Sequence, residues 1–180
     1  NRFEVIPAET PYRPLRVATR PTIPGPQTGF VMAPKDQDEE IATDYYGRVL
    51  VRFHWERPDT RGQSQREKNA SCWIRCAQSW AGAAWGTMFI PRVGMEVVVN
   101  FLEGDPDRPL VTGCVYNAEN TVPYPLPAEK TKSTIKTSSS KGSQGFNELR
   151  FEDLKDNEQI FIHAQRDMDW ADRASRAAQG

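Results

Sequence analysis

The side chains in this sequence that could do chemistry are few and scattered. Its two histidines, His54 and His163, lie far apart and on segments that read as different modules. Hydrolytic chemistry needs an oriented base beside a nucleophile, and neither a G-x-S-x-G turn nor a cysteine–histidine pair at a suggestive turn is present. No catalytic residue is assigned, and both histidines read as ordinary surface residues. Of the three cysteines, Cys72, Cys76 and Cys114, the first two fall four apart in a predicted strand. At about 3.3 Å per residue that separates them by about 13 Å, too far for a disulfide or a shared zinc ion. They read as small buried residues of a reducing cytoplasm. Glu103, Asp105 and Asp107 offer oxygen ligands, but their spacing lacks the glycine and distal glutamate of an EF-hand loop. A solvated hairpin tip, partly neutralised by Arg108, is the simpler reading, and neither a metal nor a cofactor is expected.

A stronger chemical signal is the aromatic set Trp55, Trp73, Trp80, Trp85 and Phe89. Stacking platforms beside a basic groove are how OB-folds hold single-stranded nucleic acid. Residues 47–92 hold eight Lys/Arg against three Asp/Glu, whereas residues 93–129 hold six acidic side chains against Arg108 alone. Local balances of +5 and −5 suit opposite patches meeting between subunits as readily as a nucleic-acid groove. The whole chain, at −1 with a pI near 6.2, has no net field favouring a polyanion. A single-strand-binding module therefore stands as the alternative function.

These residues must be positioned by strands. A composition of 38% hydrophobic and 26% charged residues with 14 prolines and 12 glycines predicts a turn-rich, mostly β fold. Proline density makes residues 1–27 an extended connector, and Asn1 in place of Met reads as a cut within a longer protein. A first strand is predicted over 28–32. The clearest one is 47–55, where Val49, Val51, Phe53 and Trp55 alternate with mainly polar residues. A long mobile loop is expected over 56–70, then strands over 71–80, 86–90, 96–103 and 110–116. The last two are joined by the turn Gly104-Asp105-Pro106-Asp107. About six short strands between 28 and 116 suit a small Greek-key barrel such as the OB-fold. Residues 117–145 read as a connector unable to build a core. Strand character returns over 146–152 and 159–164. No apolar run approaches the roughly 18–20 residues of a membrane-spanning helix.

Several motifs, in order, carry a resemblance. They are Asp44-Tyr45-Tyr46-Gly47-Arg48-Val49, Val51-Arg52-Phe53-His54-Trp55, Ser71-Cys72-Trp73-Ile74-Arg75 and Gln78-Ser79-Trp80-Ala81-Gly82. Phe89-Ile90-Pro91-Arg92-Val93-Gly94-Met95-Glu96-Val97, Phe101-Leu102-Glu103-Gly104-Asp105-Pro106-Asp107-Arg108-Pro109 and Phe146-Asn147-Glu148-Leu149-Arg150-Phe151-Glu152-Asp153 follow. They resemble the VgrG spike proteins of type VI secretion, and the match covers most of residues 1–167. The resemblance implies a homotrimer with an upstream ring on the secretion tube, an OB-fold neck and an intertwined β-prism. It also implies a capping protein and effectors at the tip, and a target-cell membrane that the spike pierces. Bacterial cytoplasm before firing, then export through the apparatus, is the implied location, with no enzymatic activity and no nucleic-acid partner. The corresponding divisions are a connector over 1–27, the neck over 28–120 and a linker over 121–145. The start of the prism follows over 146–167, then a frayed or disordered tail over 168–180. Family members usually continue through Val/Gly-rich strand repeats, where this chain turns to Trp170-Ala171-Asp172-Arg173-Ala174.

A physical argument points the same way. Two strands cannot bury an apolar face alone, exposed edges invite association, and closed cyclic symmetry ends it without fibres. Leu149, Phe151, Ile160 and Ile162 are the expected inter-chain core.

Overall fold

The structure is a computed structural model that describes residues 3, 5–15, 17–34, 38–56 and 72–171. Regular structure among them is β-strand and one short 3-10 turn, so the fold is all-β. The strands are β1 (Gln27–Met32), β2 (Leu50–Phe53), β3 (Arg75–Cys76), β4 (Glu96–Phe101), β5 (Pro109–Val115), β6 (Lys132–Lys136), β7 (Glu148–Glu152) and β8 (Gln159–His163). β1 to β5 form one sheet in the order β2-β1-β4-β5-β3, antiparallel except for the parallel β3–β5 pair. Its two edges meet at a bridge between Val49 and Ile74, with amide-to-carbonyl bonds of 2.9 and 2.8 Å. That bridge joins the two edges at one point and curls the sheet into a partly open barrel.

Alternation builds the core. Val31, Val49, Val51, Phe53, Ile74, Val97, Val99 and Val111 form one buried cluster, each burial contributing about 1.5–3 kcal/mol. β4 and β5 shift register between Val98 and Val99, a bulge that bends the ladder as a small barrel requires. Gly29 pairs with both Phe53 and Val97, and a Cβ there would lie 2.6 Å from Val51 Cγ1 and 2.7 Å from the Arg52 carbonyl. Only glycine lets the two strands approach this closely.

Two turns explain motifs seen in the sequence. In Asp44-Tyr45-Tyr46-Gly47-Arg48 the Asp44 carboxylate accepts from the amides of Tyr46 (3.0 Å) and Arg48 (2.9 Å) and from Arg48 Nε (2.6 Å), fixing the entry to β2. Its pKa is lowered, the cost of its desolvation being outweighed by these bonds from Arg48 and Tyr46. Between β4 and β5 the chain makes a 3-10 turn over Leu102–Gly104, with Gly104 at φ 71°. The Asp105 carboxylate accepts from the Asp107 amide at 3.0 Å. The hairpin predicted at this turn is present.

Elsewhere the structure corrects the sequence reading. β2 is shorter than 47–55, Leu50 is buried with its neighbours, and Trp55 lies beyond the strand, half exposed and stacked on Phe53 at 4.4 Å. Of the strand expected over 71–80, Ile74 to Cys76 pairs along the barrel with the Ala77 amide donating to the Val111 carbonyl at 2.8 Å, and 86–90 forms no strand. The Lys/Ser/Thr tract, expected to be connector, contains β6, which pairs in full with β7. The stalk strands therefore form a three-stranded sheet, β6-β7-β8, rather than a pair. Residues 57–70 of the expected loop, residue 71 of the strand expected after it, Lys35 to Gln37 and the tail from 172 lie outside the described residues.

The chain enters the barrel at one end and leaves at the other. At the hairpin tip, the Ile23 amide donates to the Gly104 carbonyl at 2.8 Å, and Arg20 pairs with Asp105 (2.9 Å) and Asp107 (3.1 Å). At the opposite end of β4, Asn117 donates to Glu96 at 2.8 Å and Asn120 to the Gly94 carbonyl at 3.1 Å. The segment before β7 is tied to this same end. Arg92 Nη2 donates to the Ser138 carbonyl at 2.7 Å, Lys141 Nζ to the Asp38 carbonyl at 2.8 Å, and the Gly142 amide to Glu40 at 2.6 Å.

Candidate functional site

The four residues singled out in the stalk fall together. Leu149 faces Ile162 and Phe151 faces Ile160 across the β7–β8 ladder. Because side chains alternate along a strand, all four share one face. β6 adds Ile135, directly across from Leu149, which sequence reasoning missed. Its only signal was a single apolar residue in Lys-Ser-Thr-Ile-Lys. Among the described residues nothing covers this face: Ile135, Phe151, Ile160 and Ile162 are 54%, 40%, 69% and 49% exposed.

The other face is sealed by the chain's own linker. Tyr124 lies over it, its hydroxyl donating to Glu148 at 2.6 Å, while Thr134 donates to the same carboxylate at 2.8 Å. Arg150 Nη1 donates to the Tyr124 oxygen at 2.9 Å and Nη2 to Gln159 at 2.9 Å. Lys132 Nζ, Lys136 Nζ and Arg150 Cζ stand 4.8, 5.5 and 5.6 Å from the centre of the Tyr124 ring, within cation–π range. Burial pushes the Glu148 carboxyl up, but the Tyr124 and Thr134 bonds with the Lys136 and Arg150 charges bring it below its ordinary value. One face is thus a polar seam made within the chain and the other an apolar stripe that no described residue covers.

The remaining candidates are dispersed. His54 Nε2 lies 2.9 Å from Thr28 Oγ1 on the barrel, whereas His163 Nδ1–H donates to the Phe146 carbonyl at 3.0 Å on the stalk. The structure does not bring them together. None of the cysteines forms a disulfide, and contrary to expectation Cys72 and Cys114 are exposed and Cys76 is half-buried. Burial and the neighbouring Cys114 push the Cys76 thiol up to about 11. Among the described residues no group of histidine, cysteine and carboxylate side chains could hold a metal ion. The acidic tip is held by salt links, Glu103 with Arg108 at 2.9 Å and the two aspartates with Arg20, a partner sequence reasoning did not foresee. Of the aromatic set, Trp55 is stacked on Phe53, Trp80 is set edge-on to Trp85 at 5.1 Å, Trp73 is half-buried and Phe89 exposed. No helix among the described residues is long and apolar enough to cross a membrane.

A curled all-β barrel continued by a sheet that leaves an apolar stripe open has the anatomy of an assembly component. Residues 27–116 match the family described as the type VI secretion system/phage-baseplate injector OB domain, and this chain belongs to that family. Residues 133–173 match the bacteriophage T4 gp5 C-terminal trimerisation domain. The type VI secretion system spike protein VgrG1b of Pseudomonas aeruginosa is 55% identical over 94% of this chain and 22% of its own length. VgrG1a of the same organism is 54% identical over 94% of the chain and 26% of its own length. The spike protein VgrG3 of Vibrio cholerae is 48% identical over 94% and 16%. The chain therefore spans about a quarter or less of the relatives it matches. The family read from the sequence motifs is the family found.

Proposed function

We propose that the chain is the neck and first stalk segment of a trimeric puncturing spike of a type VI secretion system. In this reading the spike transmits the push of a contracting sheath to a tip that pierces a target membrane and delivers effectors. It makes and breaks no covalent bond. Residues 1–27 connect to the ring on the secretion tube, 28–120 are the neck, and the stalk begins at β6 rather than at 146, leaving 121–131 as linker. A tip-capping protein and effectors belong to the far end of the longer protein, which waits in the bacterial cytoplasm and leaves through the apparatus.

The observation that carries this reading is the through-run of the chain. Entry at the β4–β5 tip and exit at the start of β4 are separated by about five residues of strand, or about 17 Å. Backbone hydrogen bonds of the β1–β4 and β4–β5 ladders span that interval, so a push at one end is borne by the sheet rather than by a flexible link. The bare stripe of Ile135, Leu149, Phe151, Ile160 and Ile162 supports a trimer core. Light scattering across a dilution series tests the proposal: a mass near three chains is expected, and a monomer at every concentration overturns it. Salt-titrated binding to labelled single strands is expected to find no affinity. Binding that weakens steeply with salt would instead favour the nucleic-acid module.

A further inference from the structure

Between β3 and β4 the chain leaves the barrel and returns as a narrow arm, residues 78–89. It is ordered by its own bonds. The Phe89 amide donates to Gln78 Oε1 and Gln78 Nε2 to the Phe89 carbonyl, both at 3.0 Å. Ser79 and Thr87 hydroxyls are 2.8 Å apart, the Thr87 amide donates to the Trp80 carbonyl at 2.9 Å, and the Gly82 amide to the Trp85 carbonyl at 2.8 Å. Yet this rigid arm presents Trp80, Trp85, Met88 and Phe89 at 64%, 59%, 77% and 59% exposure. Tryptophan, methionine and phenylalanine are enriched in the cores of protein interfaces, and aromatic side chains held in place before binding cost little to order.

We propose that this arm docks on the neck of the neighbouring copy in the trimer, making a second inter-chain contact beside the stalk stripe. The inference rests on the trimeric reading. What selects a second copy is continuity with the trimerising segment: Arg92, three residues after Phe89, is bonded to the Ser138 carbonyl, inside the 133–173 match. Four side chains are too little for an independent interface of about 1,200–2,000 Å². They suffice once the stalk holds three necks together at high effective concentration. A three-fold ring is heterologous, so the arm meets a different surface of its neighbour and need not match itself.

The test uses the full 180-residue chain with a benzophenone photo-crosslinker placed at Met88, and separately Trp80→Ser with Trp85→Ser. Crosslinks between copies that map to residues 27–116 are expected, at a yield insensitive to dilution while the mass stays trimeric. The double substitution is expected to weaken trimer association at least about tenfold, as loss of interface tryptophans does. A trimeric mass with crosslinks confined to one chain overturns the arm contact and leaves the trimer standing. A monomeric mass overturns both.

Discussion

Glu148 is the buried charged side chain of the described residues, 4% exposed, and its neighbours explain how it tolerates that position. Tyr124 and Thr134 donate to it, and Lys136 and Arg150 face it from β6 and β7. Its folded carboxyl lies below the ordinary 4.5, so its stabilising contribution is fully present above that value and is lost as pH falls through the folded one. Glu148→Gln should therefore destabilise the stalk sheet by about 1–3 kcal/mol at neutral pH, since the Tyr124 and Thr134 donors lose a charged acceptor in a dry seam. The gap from the unaltered chain should narrow below pH 4.5. Thermal unfolding between pH 3 and 7 measures both, and a gap constant across that range would mean that the carboxylate charge contributes nothing. Little of this was legible in the sequence, where Glu148 stood only as part of the Phe146–Asp153 motif. Its burial depends on Tyr124 arriving from a linker with no periodicity to announce it.

At the scale of elements, legibility followed the pleat. β1, β4, β5, β7 and β8 were readable because apolar residues alternate along them or β-branched ones cluster between turn signals. β6 was missed because Lys132, Ser133, Thr134 and Lys136 give it no apolar face. Its ladder comes from β7 and its polar side chains serve the Glu148 seam. The two sides of the arm, expected as the end of one strand and as another over 86–90, differ for the opposite reason: Trp80 and Phe89 have the residue types of a strand but are exposed on a self-bonded excursion. Gly29 could not have been weighted either, since its value lies in the closeness of β1 to β2, which no single strand reveals. Gly29→Ala would drive a methyl group into Val51 and the Arg52 carbonyl. Such overpacking costs about 1–3 kcal/mol. A lower urea midpoint with an unchanged slope is expected, and an unshifted midpoint would show that the strands can part at no cost.

For the whole molecule the decisive asymmetry is between the two faces of the stalk sheet. One face is closed within the chain by Tyr124, Lys132, Lys136 and Arg150, and the other displays Ile135, Phe151, Ile160 and Ile162 at 40% exposure or more. An apolar face left in water contributes nothing to stability, and three such faces turned toward a common axis would bury one another. Phe151→Asp with Ile162→Asp places two carboxylates in that core, where unpaired charges are costly. The trimer should dissociate to a monomer by sedimentation, even at high salt, because a core of this kind is apolar rather than ionic. Glu158→Lys, at an exposed turn position between β7 and β8, should leave the mass unchanged. The barrel should survive in the dissociated monomer, since its core of Val31, Val49, Val51 and Val97 lies wholly within one chain. If the double aspartate variant keeps a trimeric mass, the stripe is not the core, and the contacts that hold three copies together must lie in the neck.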